Sequence, residues 1–251
     1  MEHVIDNLVH MTRYLANPAK GYAILGEGNT SARIDDDTFW VKASGTVMDG
    51  IEPRGFVRVS ISKVLELLDD ESAGDDQVTQ VLKDALVDPN ENRRPSVETL
   101  LHAILLRVPE IKYVGHTHPV FTNSLLCSKI AAEAVSGRIC PDHIVCMGHK
   151  SVYIPYVDPG LQLAREVKRQ FERFVEEEGV LPRAIMMESH GFIAMGENPR
   201  AVTSCTDMCE KISHILVGTY AVGGPRFMPP ADVNRIFTRP DEAYRLKSLA
   251  G

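Results

Sequence analysis

The chain has 251 residues, of which 44% are hydrophobic and 24% charged. That balance excludes a disordered or collagen-like chain, and one α/β domain of this length is ordinary. Lys and Arg number 27 against 34 Asp and Glu, a net charge of −7, which argues against nucleic acid as the main partner. No apolar run approaches the ~20 residues that span a bilayer. Glu2 and Asp6 stand where a signal peptide would be basic and then apolar. Five cysteines (Cys127, Cys140, Cys146, Cys205, Cys209) are odd in number and include no CxxC pair. A reducing, cytoplasmic setting is therefore expected, not a disulfide framework.

Val4, Ile5, Leu8, Met11 and Leu15 recur at helical spacing, so residues 2–16 are expected to form a helix ended by Asn17-Pro18. A glycine loop, Gly26-Glu27-Gly28, leads into two short β-patterns, Ala32 to Ile34 and Thr38 to Lys42, joined by an acidic turn. The turn Ala43-Ser44-Gly45-Thr46 follows. Val57 to Val59 reads as a strand, and Ser60 as the cap of a helix over 61–69. Residues 70–94 are polar and acidic around one helical patch, and are expected to be a surface excursion. Val97, Leu100, Leu101, Ile104 and Leu105 form the apolar face of a helix over 97–107. Ile111 to His118 alternates as a strand, and a helix is expected after Pro119. Short strands are expected at 143–147 and 151–154, then a helix over about 160–178 stopped by Gly179. Two further strands flank Ser189-His190-Gly191, and a last helix occupies about 199–218. Residues 226–251 read as a C-terminal tail to a single domain spanning 1–251.

His116-Thr117-His118 is the sharpest chemical feature. Residues i and i+2 of a strand project to one face, so both imidazoles can meet one metal ion. A catalytic zinc wants about three protein ligands and an open position. His190, between a strand end and Gly191, is the third candidate. Glu98 begins the helix that feeds the HxH strand, where a general base would stand close to such a metal. His102, at i+4, shares its helix face and reads most simply as a satisfied core histidine. Gly28-Asn29-Thr30-Ser31 and Ser44-Gly45-Thr46 are neither a Rossmann fingerprint nor a P-loop, but small residues and free amides of this kind can nest a phosphate or carboxylate. Taken singly, each of these features has a plainer reading as a turn or a hydrogen-bonded core group. Cys205 and Cys209 read as core packing, and Glu176-Glu177-Glu178 as a solvated helix end.

Together the motifs resemble the class II aldolase/adducin family, which includes the L-fuculose-phosphate and L-rhamnulose-phosphate aldolases. Gly28-Asn29-Thr30-Ser31, Lys42-Ala43-Ser44-Gly45, Pro95-Ser96-Val97-Glu98, His116-Thr117-His118-Pro119 and Ser189-His190-Gly191 stand in that family's order over roughly residues 1–225. Pro95 to His102 with the HTHP motif is similar to members fused to dehydrogenases, a half that this chain, ending at Gly251, does not carry. The resemblance implies a three-layer α/β/α domain with a largely antiparallel central sheet, assembled as a homotetramer. It implies that His116, His118 and His190 hold a divalent metal, usually zinc, with manganese or cobalt tolerated. It places Glu98 on the acid/base carboxylate, and Asn29, Ser44, Gly45 and Ser96 on the pocket for a substrate phosphate. Cleavage of a ketose 1-phosphate would leave an enediolate of dihydroxyacetone phosphate, whose charge a metal stabilises. One carboxylate can serve both proton transfers if desolvation raises its pKa toward neutrality.

Three positions depart from the fuculose-phosphate pattern. Val97 stands where the pocket has a second serine. Arg138 to Met147 offers Asp142 and His143 but no tyrosine, and the tail tyrosine is either Tyr220 or Tyr244. The rival reactions on the same fold are decarboxylation, epimerisation and dehydration of sugar or sugar-acid phosphates. A non-catalytic adducin-like module is a further alternative, and a metallohydrolase using Asp142 and His143 ranks last.

Overall fold

The computed structural model describes residues 2–70, 73–242 and 244. The elements run α1 (Glu2–Leu15), β1 (Asn29–Arg33), β2 (Thr38–Lys42), β3 (Phe56–Ser60), α2 (Ile61–Asp69), α3 (Asp75–Asp84), α4 (Thr99–Leu106) and β4 (Tyr113–Thr117). They continue with α5 (Val120–Leu126), α6 (Ala131–Ala134), α7 (Pro141–Met147), β5 (Val152–Ile154), α8 (Leu161–Glu178), β6 (Ala184–Met187), β7 (Gly191–Gly196), α9 (Pro199–Ala221) and α10 (Pro230–Phe237).

The seven strands form one sheet in the order β3-β2-β1-β4-β7-β6-β5. Every pairing is antiparallel except β5 with β6. Alternation along the strands sorts side chains to two faces. Phe39, Val41, Val114, Ile193 and Met195 meet α2, α3, α4 and α8 on one side. Ala32, Trp40, Phe192 and Ala194 meet α1 and α9 on the other. The result is the expected three-layer α/β/α arrangement with a mostly antiparallel sheet.

Local signals account for most boundaries. The Ser60 side chain accepts the Lys63 N–H and caps α2. Gly179, at φ 67°, closes α8 with the left-handed residue that glycine adopts most readily.

The expected strand at 143–147 is instead the last part of α7. Pro141 at the first helical position presets the backbone, and the run buries His143, Ile144, Val145 and Met147. Nor is 70–94 merely a surface excursion: Val78, Leu82 and Ala85 are sealed into the larger core, and Leu86 bridges Val59. The expected C-terminal tail contains α10, and its residues 243 and 245–251 lie outside the described residues. No helix among the described residues is long and apolar enough to cross a membrane.

Candidate metal centre and active site

The start of β1, the end of β4 and the start of β7, the three central strands, meet at one end of the sheet. His116 lies opposite Asn29 on one side and Ile193 on the other, so its ring shares the face that α4 covers. His118, just past the strand end, and His190, in the turn between β6 and β7, complete the group. One ligand nitrogen from each of the three imidazoles lies within 4.8 Å of the others. Among the described residues this is the only such cluster of His, Cys, Asp or Glu side chains.

Two glycines make the convergence possible. A Cβ on Gly191 would come within 2.8 Å of both His118 Cδ2 and the Thr117 carbonyl, and within 3.1 Å of His116 Cε1. A Cβ on Gly28, which sits at φ 72°, would meet the His116 carbonyl at 2.8 Å. Neither position accepts a side chain without shifting the histidine strand. His190 follows Ser189, whose φ of 53° is left-handed without being glycine. The turn is tied to α5: Ser189 N–H donates to the Leu126 carbonyl, and Asn123 Nδ2 donates to the His190 carbonyl at 3.1 Å.

The outward nitrogens fix the inward ones. His116 Nδ1–H donates to the Phe192 carbonyl at 3.0 Å. His118 Nδ1 lies 3.0 Å from Glu27 Oε2, within ion-pair distance. Either of these rings, when neutral with its hydrogen kept on Nδ1, presents an Nε2 lone pair inward. Those two Nε2 atoms face each other at 3.0 Å. Facing lone pairs repel unless a cation lies between them, so this donor set fits a divalent metal ion. Burial, with His116 and His190 adding to it, holds His118 down to about 3, which keeps it a neutral donor. His190 Nδ1 is buried without a hydrogen-bond partner.

Glu98 stands at the N-terminal end of α4, on the cluster's open side. Its Oε1 lies 3.0 Å from His190 Nε2 and 3.4 Å from His116 Nε2. Burial alone would raise its pKa, as expected from the sequence. Protons on the adjacent His116 and His190 imidazoles outweigh burial and hold the carboxyl below the ordinary range, and a cation on the same nitrogens would act in the same direction. Its other oxygen accepts from Asn29 Nδ2, and Asn29 Oδ1 contacts His102 Nε2.

Of the predicted phosphate pocket, Ser44 and Gly45 lie in an exposed turn at the end of β2, and open space surrounds the missing Cβ of Gly45. Ser96 is brought beside them, because Ala43 bridges Pro95 and Ser44 N–H donates to the Arg94 carbonyl. Asn29 is 1% exposed with both amide atoms engaged, so it faces Glu98 and not the open turn. Val97 is exposed.

Sequence reasoning missed Glu27, the acceptor behind His118, and Lys42. Lys42 is 4% exposed, and its ammonium donates to the Thr46 carbonyl at 2.7 Å. Among the described residues no carboxylate lies within ion-pair distance of it. Burial lowers its pKa, and only the more distant Glu98 opposes that. Lys42 opens the Lys42-Ala43-Ser44-Gly45 motif and Glu27 lies in the glycine loop, but a lysine at a strand end and a lone glutamate among glycines look solvated. Asp142 and His143 do not join the cluster: His143 is buried beside Arg138, in a small cavity also lined by Leu125, Met147 and Cys209. Cys205 and Cys209 are core residues, and burial pushes the Cys209 thiol up to about 12. Glu178 is not simply solvated, since it pairs with His149 and Lys150.

The family model described as Class II Aldolase and Adducin N-terminal domain matches residues 6–217. Among curated proteins, the chain is 28% identical over 221 residues to an uncharacterized oxidoreductase, YuxG, of Bacillus subtilis, covering 81% of this chain and 29% of that protein. It thus spans less than a third of that relative's length. It is 26% identical over 212 residues to a methylthioribulose-1-phosphate dehydratase of Microcystis aeruginosa, covering 80% of this chain and 90% of that enzyme. Among solved structures, the N-terminal class II aldolase domain of a conserved Thermoplasma acidophilum protein superposes with a TM-score of 0.68 at 25% identity, covering 85% of this chain and 93% of that one. An L-fuculose 1-phosphate aldolase superposes with a TM-score of 0.70 at 18% identity, covering 98% and 97%, a likeness of fold. With five motifs in order, a three-histidine centre and a family match over most of its length, the chain belongs to the class II aldolase and adducin family.

Proposed function

We propose that the protein is a metal-dependent lyase that cleaves a ketose 1-phosphate into dihydroxyacetone phosphate and an aldehyde. The observation that carries this reading is the convergence of His116, His118 and His190 with the Glu98 carboxylate on their open side. The three imidazoles hold a divalent ion, and their nitrogen-rich set suits zinc, with manganese or cobalt able to replace it. When bound, that ion supplies Lewis-acid stabilisation of the negative charge that develops on the substrate.

The protein's own groups do the rest. Glu98, held ionised, takes the proton of the C4 hydroxyl. The oxygen's electron pair forms the aldehyde carbonyl, the C3–C4 pair passes to the triose fragment, and Glu98 returns the proton to C3. Ser44, Gly45 and Ser96 bind the phosphate, Asn29 borders the same end of the site, and the Lys42 ammonium supplies a positive charge that the serines lack. Binding energy spent there, away from the breaking bond, holds the reacting atoms in place. A cytoplasmic homotetramer acting on small sugar phosphates is the assembly that goes with this reading.

A second reaction on the same site is favoured by the 26% identity to a methylthioribulose-1-phosphate dehydratase over 90% of that enzyme. The other same-fold alternatives are a decarboxylase and an epimerase. Metal analysis of the purified protein, followed by a product screen over ketose phosphates and sugar-acid phosphates, separates them. Triose phosphate release supports the lyase. Loss of water or carbon dioxide without triose phosphate replaces it. Protein that binds no metal and turns over nothing reduces the chain to an interaction module.

A further inference from the structure

Behind Glu98 lies a line of buried polar groups that metal binding and phosphate binding leave unexplained. Ser31 is 0% exposed, and Asn29 and His102 are each 1% exposed. Ser31 Oγ lies 2.5 Å from His102 Nδ1. His102 Nε2 contacts Asn29 Oδ1, and Asn29 Nδ2 contacts Glu98 Oε2. The sequence builds this by two periodicities. Asn29 and Ser31 are i, i+2 on β1, while Glu98 and His102 are i, i+4 on α4, so two pairs on facing elements interleave.

Chemistry assigns every hydrogen in the line. The Asn29 amide nitrogen can only donate, so it donates to the carboxylate. Its carbonyl oxygen can only accept, so His102 Nε2 carries a hydrogen. A neutral imidazole then leaves Nδ1 as the acceptor for the Ser31 hydroxyl. All three donors therefore point toward Glu98, and one tautomer satisfies His102 completely. Full burial lowers the His102 pKa, which favours the neutral ring.

We propose that Ser31, His102 and Asn29 form a one-directional hydrogen-bond relay that fixes the Glu98 carboxylate, engaging Oε2 so that Oε1 is presented to the metal centre. Ser31 and His102 are positioning residues, and Asn29 serves the carboxylate in addition to, or in place of, the phosphate. The catalytic consequence rests on Glu98 moving protons as described above; the relay itself does not.

The test therefore has two arms. In the first, the full-length protein with 15N-labelled histidine is examined by NMR, metal-free and zinc-loaded. His102 is expected as the neutral Nε2–H tautomer throughout about pH 5 to 8, the range in which an unperturbed histidine titrates. A charged ring, or the Nδ1–H tautomer, overturns the relay whatever the enzyme's substrate. In the second arm, Ser31→Ala, His102→Gln and His102→Leu are compared for kcat, KM and zinc affinity by chelator competition. Loss of an outer hydrogen-bond partner is expected to lower kcat about 10–100-fold, with KM and zinc affinity held. His102→Gln, which can still donate and accept, should recover much of what His102→Leu loses. Ser31→Ala removes one buried hydroxyl and keeps the test alive if the histidine variants fail to fold. Unchanged kcat in folded Ser31→Ala and His102→Leu, or equal loss in the Gln and Leu variants, overturns the positioning role. If no substrate turns over, the lyase reading fails while the tautomer measurement still decides the relay.

Discussion

The two halves of the candidate site are built on different physics. The metal half sits at the ends of paired strands, with His116 on β4, His118 just past it and His190 in the β6–β7 turn. His116 is fully buried, two of the three rings have their outer nitrogens tied down, and Gly28 and Gly191 let backbone and rings approach within a few ångströms. The proposed anion half sits on an exposed turn, with open space above Gly45 and a buried Lys42 that donates to the Thr46 carbonyl. Strand pairing sets a geometry before any ligand arrives. Beside the turn, Lys42 is buried with no carboxylate at ion-pair distance among the described residues, whereas buried charges are normally paired. On the proposed reading, the comparison teaches that one half would be shaped for its ligand in advance and the other would be completed by it.

Four substitutions can break or sharpen that contrast. His116→Ala should have the largest effect, removing a ligand outright. Metal affinity should fall by more than the about 10–100-fold typical of losing an outer partner, with only a small change in melting temperature of the metal-free protein. Elemental analysis and calorimetry check both. Glu98→Gln should retain metal but lose about 10²–10⁴-fold in rate or more, since one group serves two proton transfers. Near-normal turnover, or loss of metal along with activity, would remove the distinction between holding and reacting. Gly191→Ala should weaken metal binding by about 10–100-fold by pushing the His118 ring and the Thr117 carbonyl away. If the anion half is independent, inorganic phosphate should bind that variant as it binds the wild type. Lys42→Met should act in opposite directions on two readouts. KM for a phosphorylated substrate should rise about tenfold, the loss of one charged hydrogen bond, while the folded protein becomes more heat-resistant because an unpaired buried charge is gone. A thermal scan without ligand and a KM measurement decide whether both occur.

Much of the metal half was legible because it obeys short-range rules. The i, i+2 spacing of His116 and His118, and the turn holding His190 before Gly191, need only strand alternation and glycine freedom. The same rules placed Glu98 and His102 on one helix face. What stayed hidden depends on which elements meet. Nothing local says that Asn29 would face Glu98 and His102 instead of open solvent, because that follows from α4 crossing β1. Glu27 behind His118, and Glu178 beside His149 and Lys150, are pairings across distant segments. The misread strand at 143–147 is a different failure. Its apolar run fits either period, and the Pro141 helix-start signal was the arbiter. The 70–94 segment misleads by composition: it is mostly polar, yet Val78, Leu82 and Ala85 are buried in the core.

The face-to-face Nε2 atoms of His116 and His118 have a thermodynamic corollary. An ion seated there would rivet the end of β4 to the β6–β7 turn, segments far apart along the chain, and would bind the unfolded polypeptide poorly. Folding and metallation then become one linked equilibrium. Above the dissociation constant, each tenfold rise in free metal adds about 1.4 kcal/mol to the folded state. The temperature at which this protein unfolds would therefore report the free-metal level of its surroundings.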